Sequence, residues 1–92
     1  MRIQVTAKDI KNGSRLACSR CPVALAVKRV VKCFRVSVGA DVLTVYYGPE
    51  GTGAPYNLFV LPSIAKNFIR MFDIGLPVSP IEFDLLPNGA TT

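Results

Sequence analysis

Three cysteines are the residues of this chain best suited to reactive chemistry: Cys18 and Cys21, separated by Ser19-Arg20, and Cys33. The Cys18–Cys21 spacing is half of a structural zinc site, which ordinarily draws four ligands from two such pairs. Cys33 falls at the far end of the following helix, and the sequence contains no histidine to complete the set. The same spacing occurs in redox dithiols, and a thiol at a helix N-terminus beside Arg20 is expected to have a lowered pKa at Cys21. The strand, C-x-x-C and crossover helix of a thioredoxin-like site is missing, however. Packing is the simpler role: Cys21 caps or packs a helix start, and Cys33 fills a small core position. Without histidine the commonest general base near neutral pH is absent, and Cys–His catalysis with it. A binding protein is expected, not an enzyme, with no catalytic residues, no metal, no cofactor and no small-molecule substrate.

Other chemistry-bearing segments read more simply still. Gly48-Pro49-Glu50-Gly51-Thr52-Gly53 is glycine-rich but lacks the Lys-Ser/Thr ending of a phosphate loop, so it reads as a hairpin connection. Glu82 and Asp84 share one strand face; with no third partner they read as a solvated outer face. Tyr46, Tyr47 and Tyr56 have the character of a base-stacking platform. No nucleic-acid-binding pattern surrounds them, and core or cross-strand packing accounts for them.

Charge gives the clearest functional signal. Residues 1–40 hold nine Lys or Arg against Asp9 alone, a local charge of +8; residues 41–92 hold Lys66 and Arg70 against five acids, −3, which makes the net +5. Such segregation creates a local field that steers an acidic partner. Arg15 and Arg20 precede the long helix, Lys28, Arg29 and Lys32 line its outer side, and Arg35 opens the next strand. Leu25 projects among these cations. The seven residues form the candidate partner-binding surface, its cations meeting phosphates or acidic protein and Leu25 serving as an apolar anchor. The competing reading is an ordinary solvated helix face.

These side chains must be positioned by a small α+β domain. Ile3 and Val5 alternate with Arg2, Gln4 and Thr6 as a first strand. Thr6 with Asp9 three residues on has the pattern of a capping box for a short helix, which stops at Asn12-Gly13, where glycine accepts a left-handed backbone. Cys21-Pro22 starts an amphipathic helix from about 22 to 33, with Val23, Val27, Val30 and Phe34 aligned on its apolar side. Phe34–Val38, Val42–Tyr47 and Tyr56–Leu61 form an antiparallel meander. Pro62-Ser63 opens a helix with Ile64, Phe68, Met71 and Phe72 on one side; Gly75 and Pro77 end it. Ile81, Phe83 and Leu85 alternate in a last strand. The order is β-α-α-β-β-β-α-β, an antiparallel sheet of four to five strands with helices packed on one face. Residues 1–86 are expected to form a single domain and residues 87–92 a flexible C-terminal tail. No run of about 18 apolar residues is present, so no membrane span or membrane partner is expected. The alternating N-terminus lacks the apolar block of a signal peptide. Three cysteines, an odd count, read as reduced thiols in a cytoplasm.

The run Val5-Thr6-Ala7-Lys8-Asp9-Ile10-Lys11-Asn12-Gly13, the segment Cys21-Pro22-Val23-Ala24-Leu25-Ala26 and the C-terminal Phe68 to Pro80 followed by Ile81-Glu82-Phe83 resemble a group of small proteins from phages and bacterial mobile elements. The resemblance spans most of the chain, and the Cys-Pro-Val-Ala-Leu-Ala segment is its most specific part. Within that group, length and character are similar to an anti-CRISPR protein acting on the type I-F surveillance complex. The resemblance implies a stoichiometric inhibitor in the host bacterial cytoplasm that binds Cas protein subunits, with guide RNA as a further contact, and keeps target DNA from hybridising. It carries over no catalytic residues and no residue-by-residue binding motif. On charge alone, the acidic residues Glu50, Asp73, Glu82 and Asp84 would occupy a protein groove built for DNA. Two other classes compete. A duplex-DNA-binding regulator would want base-reading Asn, Gln or Arg on its helix, where this chain has Lys28, Arg29 and Lys32. A small metal or redox protein would use Cys18 and Cys21.

Overall fold

Alternation at the start of the chain becomes strand β1 (Arg2–Val5), with Ile3 and Val5 buried and Arg2 and Gln4 exposed. Thr6 then caps helix α1 (Ala7–Asn12): its Oγ1 accepts the Asp9 N–H at 3.2 Å, and the Asp9 carboxylate accepts the Thr6 N–H at 2.9 Å. Both arms of the capping box are made, so two otherwise orphaned donors are satisfied. The computed structural model describes residues 1–49 and 51–88. Within them follow α2 (Pro22–Val30), β2 (Arg35–Val38), β3 (Val42–Tyr46), β4 (Tyr56–Val60), α3 (Ser63–Asp73), β5 (Ile81–Asp84) and β6 (Leu86–Pro87). The class is α+β and the order of the first eight elements is the one read from the sequence.

The strands are shared between two antiparallel sheets. β1 pairs with β5, Ile3 facing Phe83 and Val5 facing Ile81. The larger sheet has the order β2-β3-β4-β6. One continuous stretch serves both: β5 ends at Asp84, Leu85 exchanges hydrogen bonds with Met1 at 2.8 and 2.9 Å, and Leu86 joins β4 opposite Val60. Pro87 and Asn88, assigned by the sequence to a tail, therefore belong to the sheet edge, where the Asn88 N–H donates to the Leu58 carbonyl. The rest of the expected tail, residues 89–92, lies outside the described residues.

Helix α2 packs on both β1 and β2 and so joins the sheets. Val23, Ala24, Ala26 and Val27 are fully buried with Ile3, Val36, Leu43, Val45, Leu61 and Leu85. Burial of each larger aliphatic contributes about 1.5–3 kcal/mol. The helix ends at Val30, three residues before the expected end, and Val31 is already extended. Val30-Val31 is a β-branched pair, which fits extended backbone better than a helix turn. Phe34 and Val30, aligned with the core by helical spacing, are accordingly exposed.

Gly13 also differs from expectation. Its φ is −73°, not left-handed. The reason for glycine is space: a Cβ there would lie 2.6 Å from the Pro22 ring. The close approach brings the end of α1 onto the start of α2. In α3 the buried side is Ala65 and Phe68, with Ile69 and Phe72 half-buried. Ile64 and Met71 turn outward and, with Pro77 and Val78, border an apolar groove of about 520 Å³.

Candidate partner-binding surface

The seven predicted surface residues separate into three groups. Arg20, Lys28 and Lys32 are exposed and have no ion pair among the described residues. They lie in the loop before α2, on its last turn and just beyond it. Their exposure is the one the sequence reading expects.

Arg29 is instead tied up within the molecule. Arg29 closes a fork on Asp9, Nη1 to Oδ1 at 2.6 Å and Nη2 to Oδ2 at 2.8 Å, and Nη2 also donates to the Gln4 carbonyl at 2.9 Å. Asp9 is buried and its carboxyl is held below the usual carboxylate range, chiefly by the Arg29 hydrogen bonds and then by those from Thr6, against the opposing effect of burial. A bidentate arginine–carboxylate pair of this kind clasps α1 to α2. Leu25 is half-buried on α2 and belongs neither to the buried core nor to the partly buried hydrophobics packed against it.

Arg15 and Arg35 are positioned apart from α2's outer side. Arg15 is exposed, with its guanidinium beside Gly75 at the C-terminal end of α3, where a cation favours the helix dipole. The neighbouring Leu16 N–H donates to the Asp73 carboxylate at 3.0 Å, and Leu16 takes φ 57°, unusual for a bulky residue. Arg35 lies over the Tyr46 ring at 4.6 Å. Tyr46 in turn meets Tyr56 across the ladder with ring centroids 6.2 Å apart, the cross-strand packing read from the sequence, while Tyr47 falls on the opposite face.

Lys8 and Lys11 on α1 are exposed cations that sequence reasoning left out. The signal was present: the capping box turns Asp9 inward, so its neighbours Lys8 and Lys11 turn outward. With Lys28 they ride on two packed helices, and Lys32 lies just beyond the second. Meanwhile each described carboxylate is engaged within the molecule. Asp9 has Arg29; Asp41 has Lys66 at 2.8 Å; Asp73 has the Leu16 N–H; Glu82 and Asp84 have Arg2 at 3.0 and 3.3 Å. The expected acidic set of Asp73, Glu82 and Asp84 is therefore already in use inside the protein, and Glu50 lies outside the described residues.

The thiols also part from expectation at one position. Cys21 is the N-cap of α2, its Sγ accepting the Ala24 N–H at 3.5 Å. Burial pushes this thiol up, outweighing the helix-start hydrogen bonds that lower it. Cys18 is exposed and Cys33 half-buried. Among the described residues no three His, Cys, Asp or Glu side chains gather as a metal site would require.

Fold and surface together define an α+β domain in which Lys8, Lys11, Arg20, Lys28 and Lys32 are exposed and the described acids are already engaged within it. Set against protein-family models, curated proteins and solved structures, the chain finds no match.

Proposed function

We propose that this protein acts by binding alone, docking its cationic helices on a ribonucleoprotein and obstructing the nucleic acid that must hybridise there. The specific form of the proposal is the one implied by the resemblance to the phage and mobile-element group: a stoichiometric inhibitor of a guide-RNA surveillance complex of the type I-F CRISPR system. One observation carries the binding reading. The described carboxylates take internal partners, so Lys8, Lys11, Arg20, Lys28 and Lys32 face solvent with no ion pair among the described residues. Phosphate contacts are made by such clusters, and a surface complementary to phosphate also raises the association rate.

The contact set is narrower than the charge pattern alone implies. Arg29 clasps α1 to α2, and the docking role is taken by Lys8, Lys11, Lys28 and Lys32. The experiment is a pull-down of the assembled surveillance complex with the full chain, followed by a target-DNA binding assay. Saturating protein should abolish target binding, and alanine at Lys8, Lys11, Lys28 and Lys32 together should restore it. Undiminished target binding at saturation rules the proposal out. Tight, salt-sensitive binding to naked duplex would transfer the reading to a DNA-binding regulator.

A further inference from the structure

The outer face of the larger sheet carries an apolar strip along β4. Val36, Val38, Leu43 and Val45 point inward to the core. The cross-strand sets Arg35–Tyr46–Tyr56, Ser37–Thr44–Leu58 and Val42–Val60–Leu86 therefore share the outward face. On it Tyr56, Leu58, Val60 and Leu86 are 60%, 37%, 44% and 63% exposed. An antiparallel sheet with one face in water normally alternates apolar and polar residues. The smaller sheet of the same molecule does so: its outward positions are Arg2, Gln4, Glu82 and Asp84, linked by hydrogen bonds and ion pairs. β4 breaks the rule, with Phe59 packed inward and Leu58 and Val60 pointing out. A contiguous apolar face of this kind marks an interface.

We propose that this face packs against the same face of a second copy of the chain, as a two-fold dimer layered helix–sheet–sheet–helix. Three observations select that occupant. Arg35 is the single charged residue among the described outward positions, and it is spread over Tyr46. Two copies of a +5 chain can thus meet here with Arg35 as the one described cation each brings to the face, while Lys8, Lys11 and Lys28 ride on helices behind the sheet. A single-stranded nucleic acid would want cations along its phosphates as well as Tyr46 and Tyr56 to stack on, and this face has one. The sheet edges are also guarded. Pro87 occupies the β6 edge, and the Val38 N–H of β2 is taken by the Cys18 carbonyl at 2.8 Å. Association by added strands is therefore hindered, and face-to-face packing, which is isologous and self-limiting, remains. Three strands of four to five residues and the two-residue β6 give a footprint of at most roughly 19 by 16 Å. That is small beside the about 800 Å² per partner of a stable interface, so the dimer is concentration-dependent, with a dissociation constant on the order of 10 µM or weaker.

The test is sedimentation equilibrium of the full chain from about 5 µM to about 1 mM, which spans that range. The weight-average mass should climb from 10.0 kDa toward twice that value. Leu58→Glu and, separately, Leu86→Glu should each weaken association at least about tenfold, since each brings carboxylates together in an apolar contact. Both positions are exposed in the single chain, so the fold should tolerate the change, and circular dichroism checks that it does. Ile64→Glu, on α3, should leave association as it was. A wild-type mass that stays at the monomer value up to the highest concentration overturns the proposal. So does undiminished association of both glutamate variants. Tyrosine fluorescence quenched by oligo(dT), and lost in Tyr56→Ala, would overturn it in favour of a nucleic-acid platform. The dimer stands or falls independently of the ribonucleoprotein reading.

Discussion

Asp9 serves the capping box through Thr6 and the helix clasp through Arg29 with a single carboxylate. Its pKa is depressed in the folded state, so its stabilisation is complete above the unfolded carboxylate pKa near 4 and is lost as pH falls through the lower folded value. Arg29→Ala should cost about 1.5–2 kcal/mol near neutral pH, the lower part of the range for charged hydrogen bonds because the guanidinium is half exposed. It should also flatten the acid limb of stability, which urea unfolding at pH 7 and pH 3 would measure. The capping box is legible from Thr6 and Asp9 alone. The clasp is not, because a helical wheel assigns any arginine outward and cannot see a carboxylate on the preceding helix. The thiols offer a second check at this scale. Cys21 is 3% exposed with a raised pKa, whereas Cys18 is open to solvent. Native protein at pH 8 should therefore titrate rapidly with a thiol reagent at Cys18, and Cys21 should react only on unfolding. Rapid labelling of Cys21 in mass-mapped peptides would contradict this.

Elements meet where small residues allow. Gly13 lets α1 end directly on Pro22, and Gly13→Ala should destabilise by about 1–3 kcal/mol because the Pro22 ring cannot swing away. Thermal unfolding with the Gly13→Ser variant as a second probe would test it; an unchanged midpoint would show that the helices can separate at little cost. Sequence reading identifies Gly13 as a stop but assigns the wrong cause, since both a positive φ and a tight contact demand the same residue. The extents of α2 and the facing of α3 are misread for a related reason. Val30, Phe34, Ile64 and Met71 keep helical spacing, yet spacing reports only which residues are apolar. Whether a second element covers them depends on tertiary packing, and here the large sheet face and the α3 groove leave apolar residues uncovered. That surplus is invisible to periodicity.

At the scale of the molecule, the charge partition is readable in the sequence, while its consequence needs the ion pairs. Arg2 and Arg29 are used up internally, so the outward cations come from α1 and from the neighbourhood of α2. Under the proposed function, binding to a ribonucleoprotein should weaken steeply with salt, and Lys28→Ala with Lys32→Ala should lower the slope of log K against log salt by about 2. Titrations between about 50 and 200 mM salt would measure it, and a slope unchanged by the double substitution would place the phosphate contacts elsewhere. Strand count and order along the chain are legible because they are local. The division into two sheets is not, because it depends on β1 choosing β5 over the meander.

That choice has a consequence for synthesis. Arg2 bonds Glu82 across a separation of 80 residues, so at a translation rate of about 5–20 residues per second the first strand waits roughly 4–16 s for its mate. The hairpins of the meander can close while the ribosome is still working. The β1–β5 ladder cannot, and a half-apolar strand with an unfilled edge must be kept from other nascent chains until β5 clears the exit tunnel.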